Sequence, residues 1–234
     1  MKKLILLVVV ATSFGITAQT KTELVKHFEA YYQQMKRQGD VQGVINAMTH
    51  LEVLAPSLAR KDTLAYIYAS EGRNLEALNT IGIELGPNDS DINVEVKAIA
   101  LKALNQSEKA LVHYEELFKR KPNPYLAYEM ADLKTQLKDY AGAKQNVEYG
   151  LTNVKADMKR AFYETQTPYQ TSLKAALLCL KGLIVFNENQ TANIDQAIKL
   201  MNDALAIDPN FNLAKISREA LEGRRNQANQ GAKN

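Results

Sequence analysis

The residues able to do chemistry are few and are not grouped. Histidine occurs at His27, His50 and His113, and Cys179 is the single cysteine. A transition-metal site draws His, Cys and carboxylate ligands from short helical or loop spacings. None of these histidines has another His or Cys at such a spacing, and the chain holds no H-E-x-x-H. His50 and His113 fall beside packing positions and are expected as surface or half-buried helix residues. Glu115 and Glu116 are consecutive, so on a helix they point in different directions and cannot share a proton or an ion. Gly82 and Gly86 are not followed by the Lys-Ser/Thr of a phosphate loop, and there is no G-x-S-x-G. Cys179 lies among Leu177, Leu178 and Leu180, which points to burial, and it lacks a placed base to make it a nucleophile. With one thiol the chain cannot staple itself; an intermolecular disulfide is the alternative use. The expectation is a protein with no catalytic, cofactor-binding or metal-ligating set, and not an enzyme.

What the sequence does contain is a repeated spacing. Val44, Met48, Leu51 and Pro56 stand at the same offsets as Ala110, Tyr114, Leu117 and Pro122, and again as Ala197, Met201, Ala204 and Pro209. Ala77 with Ile81, and Ala143 with Val147, are partial copies. A small residue lets one helix approach another closely, and the apolar residues four and seven positions later lie on the same face and fill the adjacent groove. Proline after the last turn ends the helix and turns the chain. Recurrence at roughly 34 residues signals an array of helical hairpins, in which neighbours bury the faces that one unit cannot bury alone.

The repeats resemble the tetratricopeptide family. That resemblance implies an all-α, right-handed superhelical solenoid of about five antiparallel helix pairs closed by a C-terminal capping helix. The units read as residues 25–58, 58–91, 91–124, 124–157 and 175–211, with the cap at 212–225 and a disordered polar tail at 226–234. The second unit closes irregularly: Pro87 arrives early, and Glu84 stands where a small residue is usual. The turn of the last unit, from Asn187 to Ile194, is longer than the family's.

In that family the first helix of each pair lines the concave groove. Transferred to this chain, the resemblance makes Lys26, Glu29, Gln33 and Arg37 candidate partner-binding residues in the first unit, and Tyr66 in the second. It adds Glu95 and Ile99 in the third unit, and Tyr125, Tyr128 and Asp132 in the fourth. The family's clamp for a C-terminal carboxylate needs a lysine and an asparagine where this chain has Glu29 and Gln33, so that ligand is disfavoured. Tyr66, Tyr125 and Tyr128 have two readings, as aromatic anchors for a peptide or as packing between helices.

Residues 153–171 interrupt the repeat. They carry Phe162, Tyr163, Pro168 and Tyr169 among charges. The segment reads either as an elongated helix followed by a loop, or as a short extended hairpin around Thr167-Pro168 that docks a partner.

The N-terminus has the pattern of an export signal: Lys2 and Lys3, an apolar run from Leu4 to Val10, then small residues to Ala18, after which cleavage is expected. The run falls short of the about 20 residues of a spanning helix; a retained anchor is the alternative. Without Lys2 and Lys3 the 29 basic residues become 27 against 26 acidic ones. Such a balance, with basic residues scattered, does not point to nucleic acid. The composite expectation is a non-enzymatic scaffold in the periplasm or beyond, holding another envelope protein or peptide in its groove. The alternative is an envelope assembly factor docking through residues 153–171. Partner and oligomeric state stay open.

Overall fold

The computed structural model describes residues 20–231; the expected export signal, residues 1–18, lies outside them. Two compact units divide at Gly82.

The first unit holds α1 (Lys21–Gln38), α2 (Val41–Leu54), α3 (Leu58–Ser70) and α4 (Asn74–Ile81). Thr20 starts α1 with a capping box: its hydroxyl accepts from the Glu23 amide, and the Glu23 carboxylate accepts from the Thr20 amide. Val44, Ile45, Met48 and Leu51 of α2 are buried against Leu64 of α3, with Val25, Phe28, Tyr32 and Met35 of α1 packed over them. Helix α4 has only eight residues. It stops at Gly82, whose φ of +83° is open to glycine and strained for other side chains.

The second unit comprises α5 (Asp91–Ala103), α6 (Ser107–Arg120), α7 (Pro124–Gln136), α8 (Tyr140–Asn153), β1 (Lys159–Phe162), β2 (Tyr169–Ser172), α9 (Leu173–Glu188), α10 (Ile194–Ile207) and α11 (Asn212–Gly231). The recurrent small residues Ala110, Ala143 and Ala197 have no exposed surface, and Tyr114, Val147 and Met201, four positions later, are buried with them. Helix α9 is apolar nearly all round and is the centre of this unit's core, which also takes in Val147, Phe162, Met201, Phe211 and Leu221. Gly182 makes its approach to α10 possible: a Cβ there would lie 2.8 Å from Met201 Cε and 3.3 Å from the Ala197 carbonyl oxygen.

The irregular close of the second repeat has a physical cause in the buried residues around it. Lys97 of α5 is 2% exposed. Its ammonium donates to Asp89 Oδ2 at 2.6 Å and to the Glu84 carbonyl at 2.7 Å. Asp89 Oδ2 also accepts from the Gly86 amide, and His113 Nε2 reaches the Ile83 carbonyl at 2.8 Å. Residues 83–90 are thus pinned to α5 and α6 by side chains instead of continuing a helix. His113 is fully buried in this arrangement, deeper than its sequence position suggests.

Residues 153–171 do contain a hairpin. Strands β1 and β2 pair antiparallel, Arg160 opposite Thr171 and Phe162 opposite Tyr169. Alternation puts these four on one face. Phe162 and Tyr169 stack at 5.8 Å between ring centres, and Phe211 closes over Phe162 at 5.0 Å. One face of the hairpin is therefore core up to its last pair, while Tyr163 at the tip is 75% exposed.

Two boundaries differ from the sequence reading. The residues assigned to a long turn after Asn187 lengthen α9 to Glu188, leaving a turn at 189–193. The tail expected to be disordered from residue 226 is helical through Gly231. Gln, Asn and Ala add to an existing helix at little cost once it is nucleated and packed, here through Ala214 and Leu221.

Candidate functional site

In the first unit the candidate residues are spread along exposed surface. Lys26, Glu29, Gln33 and Arg37 are exposed on α1, and Tyr66 is 54% exposed on α3. Glu29 pairs with Arg60 of α3 at 3.4 Å. These two and Gln33 border a shallow hollow with Tyr32, Met48 and Thr63. Lys26, Arg37 and Tyr66 are not part of it.

In the second unit three candidates come together. Glu95 and Ile99 of α5 face Tyr125 of α7 across a groove of about 520 Å³. Residues four apart on a helix share a face, which places Glu95 and Ile99 side by side on one wall. Leu126 and Glu129 extend the opposite wall, and Tyr114 and Leu117 of α6 lie in the floor. Asn123 caps α7, its side-chain oxygen accepting from the Tyr125 and Leu126 amides, and Pro124 follows at the first turn. Local sequence thus fixes where Tyr125 begins the wall. At one end Arg120 bonds Asp91 at 2.9 Å and Glu116 at 2.8 Å.

Of the two readings of Tyr128 the structure gives the packing one, and neither Tyr128 nor Asp132 lines the groove. Tyr128 is buried, and the Arg160 guanidinium covers its ring at 3.9 Å. It is a packing residue, and burial pushes its phenol far above the ordinary value. Asp132 is held by Lys102 at 2.6 Å. Lys102 also bonds Glu129 at 2.6 Å, and Arg160 donates to the other Glu129 oxygen. Desolvation alone would raise the Glu129 carboxyl, but Arg160 and Lys102 hold it below the usual carboxylate range. Glu129 remains ionised, with both oxygens engaged.

Sequence reasoning missed Glu129 and Arg160 as parts of this site. Glu129 is off the family's ligand positions, and Arg160 comes from the segment outside the repeat. No signal in the sequence marks either, because the depth that makes the Glu129 carboxylate need a cation is set by the fold. Tyr114 belongs to both readings, as a repeat packing residue and as groove floor.

The remaining reactive groups are occupied otherwise. His50 stacks on Phe28 at 4.2 Å. Burial pushes the Cys179 thiol up to about 12, with Glu164 adding to the effect. Among the described residues no group of three His, Cys, Asp or Glu could hold a metal ion, and no helix is long and apolar enough to cross a membrane.

No protein-family model and no curated protein matches the sequence. Solved structures do match the fold. A tetratricopeptide repeat protein from Parabacteroides merdae ATCC 43184 is similar over 85% of this chain and 72% of its own, with a TM-score of 0.64 at 18% identity. The MamA protein is similar over 80% of this chain and 93% of its own, with a TM-score of 0.61 at 13% identity. YrrB, described as a TPR protein with an unusual peptide-binding site, is similar over 87% of this chain and all of its own, with a TM-score of 0.64 at 10% identity. The fold is therefore the all-α tetratricopeptide repeat array.

Proposed function

We propose that this chain is a non-enzymatic scaffold that holds a segment of another protein in the groove between α5 and α7. The observation that carries the reading is the wall of Ile99 and Tyr125, 43% and 40% exposed, beside the carboxylate of Glu95. Exposed apolar and aromatic side chains converge there beside charged groups that can orient a ligand, a composition that suits a binding site. The named peptide-binding site of YrrB, on a similar fold, supports a polypeptide as the ligand class. The export pattern at residues 1–18 supports an envelope location and hence an envelope partner.

Docking through the hairpin is the second reading, and Tyr163 is what favours it. Phe162 and Tyr169 are already used in packing against Phe211, which leaves that surface one aromatic.

The test is partner recovery from envelope extracts of the source cells with tagged full-length chain. Glu95→Arg combined with Tyr125→Ala should lose the recovered partner while helicity stays unchanged. Recovery unaffected by that pair, but lost with Tyr163→Ala, would transfer the function to the hairpin.

A further inference from the structure

We infer that the groove selects an extended polypeptide segment in which a Lys or Arg neighbours an apolar residue, and that Glu95 is the selecting residue. The inference rests on the groove being a polypeptide site. Its basis is the distribution of charge among the lining carboxylates. Asp91 is bonded by Arg120 at 2.9 Å. Glu129 is bonded by Lys102 and Arg160. Glu95 accepts no hydrogen bond and forms no ion pair among the described residues, and it is exposed. The groove therefore has one carboxylate with its full bonding capacity left, and a guanidinium or ammonium is the group that satisfies it best.

The neighbouring surfaces fit the rest of such a side chain. Ile99 lies one turn beyond Glu95, and Tyr125 and Leu126 face it. Lysine and arginine stems lie along apolar surface while the charged head stays with its partner. The half-exposed Tyr125 ring adds a face on which a cation is attracted. Tyr114 in the floor senses this field: besides burial, Glu129, Glu95 and Asp132 push its phenol upward, against the opposing pull of Arg160. Lys121 is the opposing free charge, but it stands exposed at the end of the groove, where solvent and salt screen it. A volume of about 520 Å³ has room for a few side chains.

The experiment is selection of short random-sequence peptides, capped at both ends, against the full chain and three variants. Wild type should enrich Lys or Arg next to Leu, Ile, Val or Phe. Glu95→Gln should weaken the selected peptides about tenfold and flatten their salt dependence, as expected for loss of one charge-assisted contact. Glu95→Arg should enrich Asp and Glu instead. Ile99→Asp should block all of them. Peptides blocked by Ile99→Asp that carry no cationic preference would overturn the selection by Glu95 and leave the polypeptide site standing. Absence of any peptide blocked by Ile99→Asp would remove the site itself, and the inference with it.

Discussion

Arg160 of β1 lies 3.9 Å above the ring of Tyr128 and bonds Glu129, the next residue of α7. One side chain from outside the repeat thereby covers an aromatic position of the groove-lining helix and neutralises its neighbour. The hairpin thus braces the groove from behind, through Glu129, without lining it.

Replacing Arg160 by Met should destabilise the fold by about 2 kcal/mol. It removes a stacked cation and leaves Glu129 buried with Lys102 alone. Adding Glu129→Gln should recover part of the loss, because residues in one ion-pair network couple. Urea unfolding of the two single variants and the double variant measures this; additive losses would show that the pair does not act as a unit.

The pinned segment 83–90 should make stability sensitive to acid. His113 is kept neutral: burial, with Lys97 nearby, pulls its pKa below the ordinary value, against the opposing pull of the Ile83 carbonyl, Asp89 and Glu84. The unfolded chain takes up the proton near pH 6.5, so this contribution is complete above that value. It is lost as pH falls through the lower folded value. His113→Leu should flatten the slope of unfolding free energy against pH in that window, at the cost of its bond to the Ile83 carbonyl. Replacing Lys97 by Met should cost about 3 kcal/mol by stranding Asp89.

Gly182→Leu should destabilise by about 2 kcal/mol or more, since the added side chain meets Met201 Cε, Leu200 Cβ and the Ala197 carbonyl. Thermal unfolding reads the change. A neutral result would mean that α9 and α10 can separate without loss.

Cys179 should resist alkylation in the folded chain and react at once in denaturant, because it is buried and its thiol is pushed up to about 12. Rapid native labelling followed by mass spectrometry would contradict its burial.

The sequence was most legible where packing is periodic. Ala110, Tyr114 and Leu117 sit at fixed offsets because two helices must meet there, and all three are buried. Pro87 signalled that the second repeat closes early, but not that Lys97 and Asp89 would replace the missing helical bonds; that pairing bridges loop and helix. Glu95, Ile99 and Tyr125 were found because helix position alone decides which way they face. Tyr128 keeps two readings in the sequence for the complementary reason. Its exposure is decided by Arg160, some thirty residues away in sequence and in register with no repeat. The helical tail is not legible in the sequence because its polar composition matches that of a chain end, whereas a packed helix can carry further turns into solvent.

The most direct test of the groove as a polypeptide site is photocrosslinking in the source cells from a reactive residue at Tyr125, with Val112, exposed but outside the groove lining, as the reference. The account predicts one dominant protein adduct at Tyr125, mapped to a single linear segment, absent from Val112 and lost with Glu95→Arg. Adducts of the same proteins and yields from both positions, indifferent to Glu95, would contradict it.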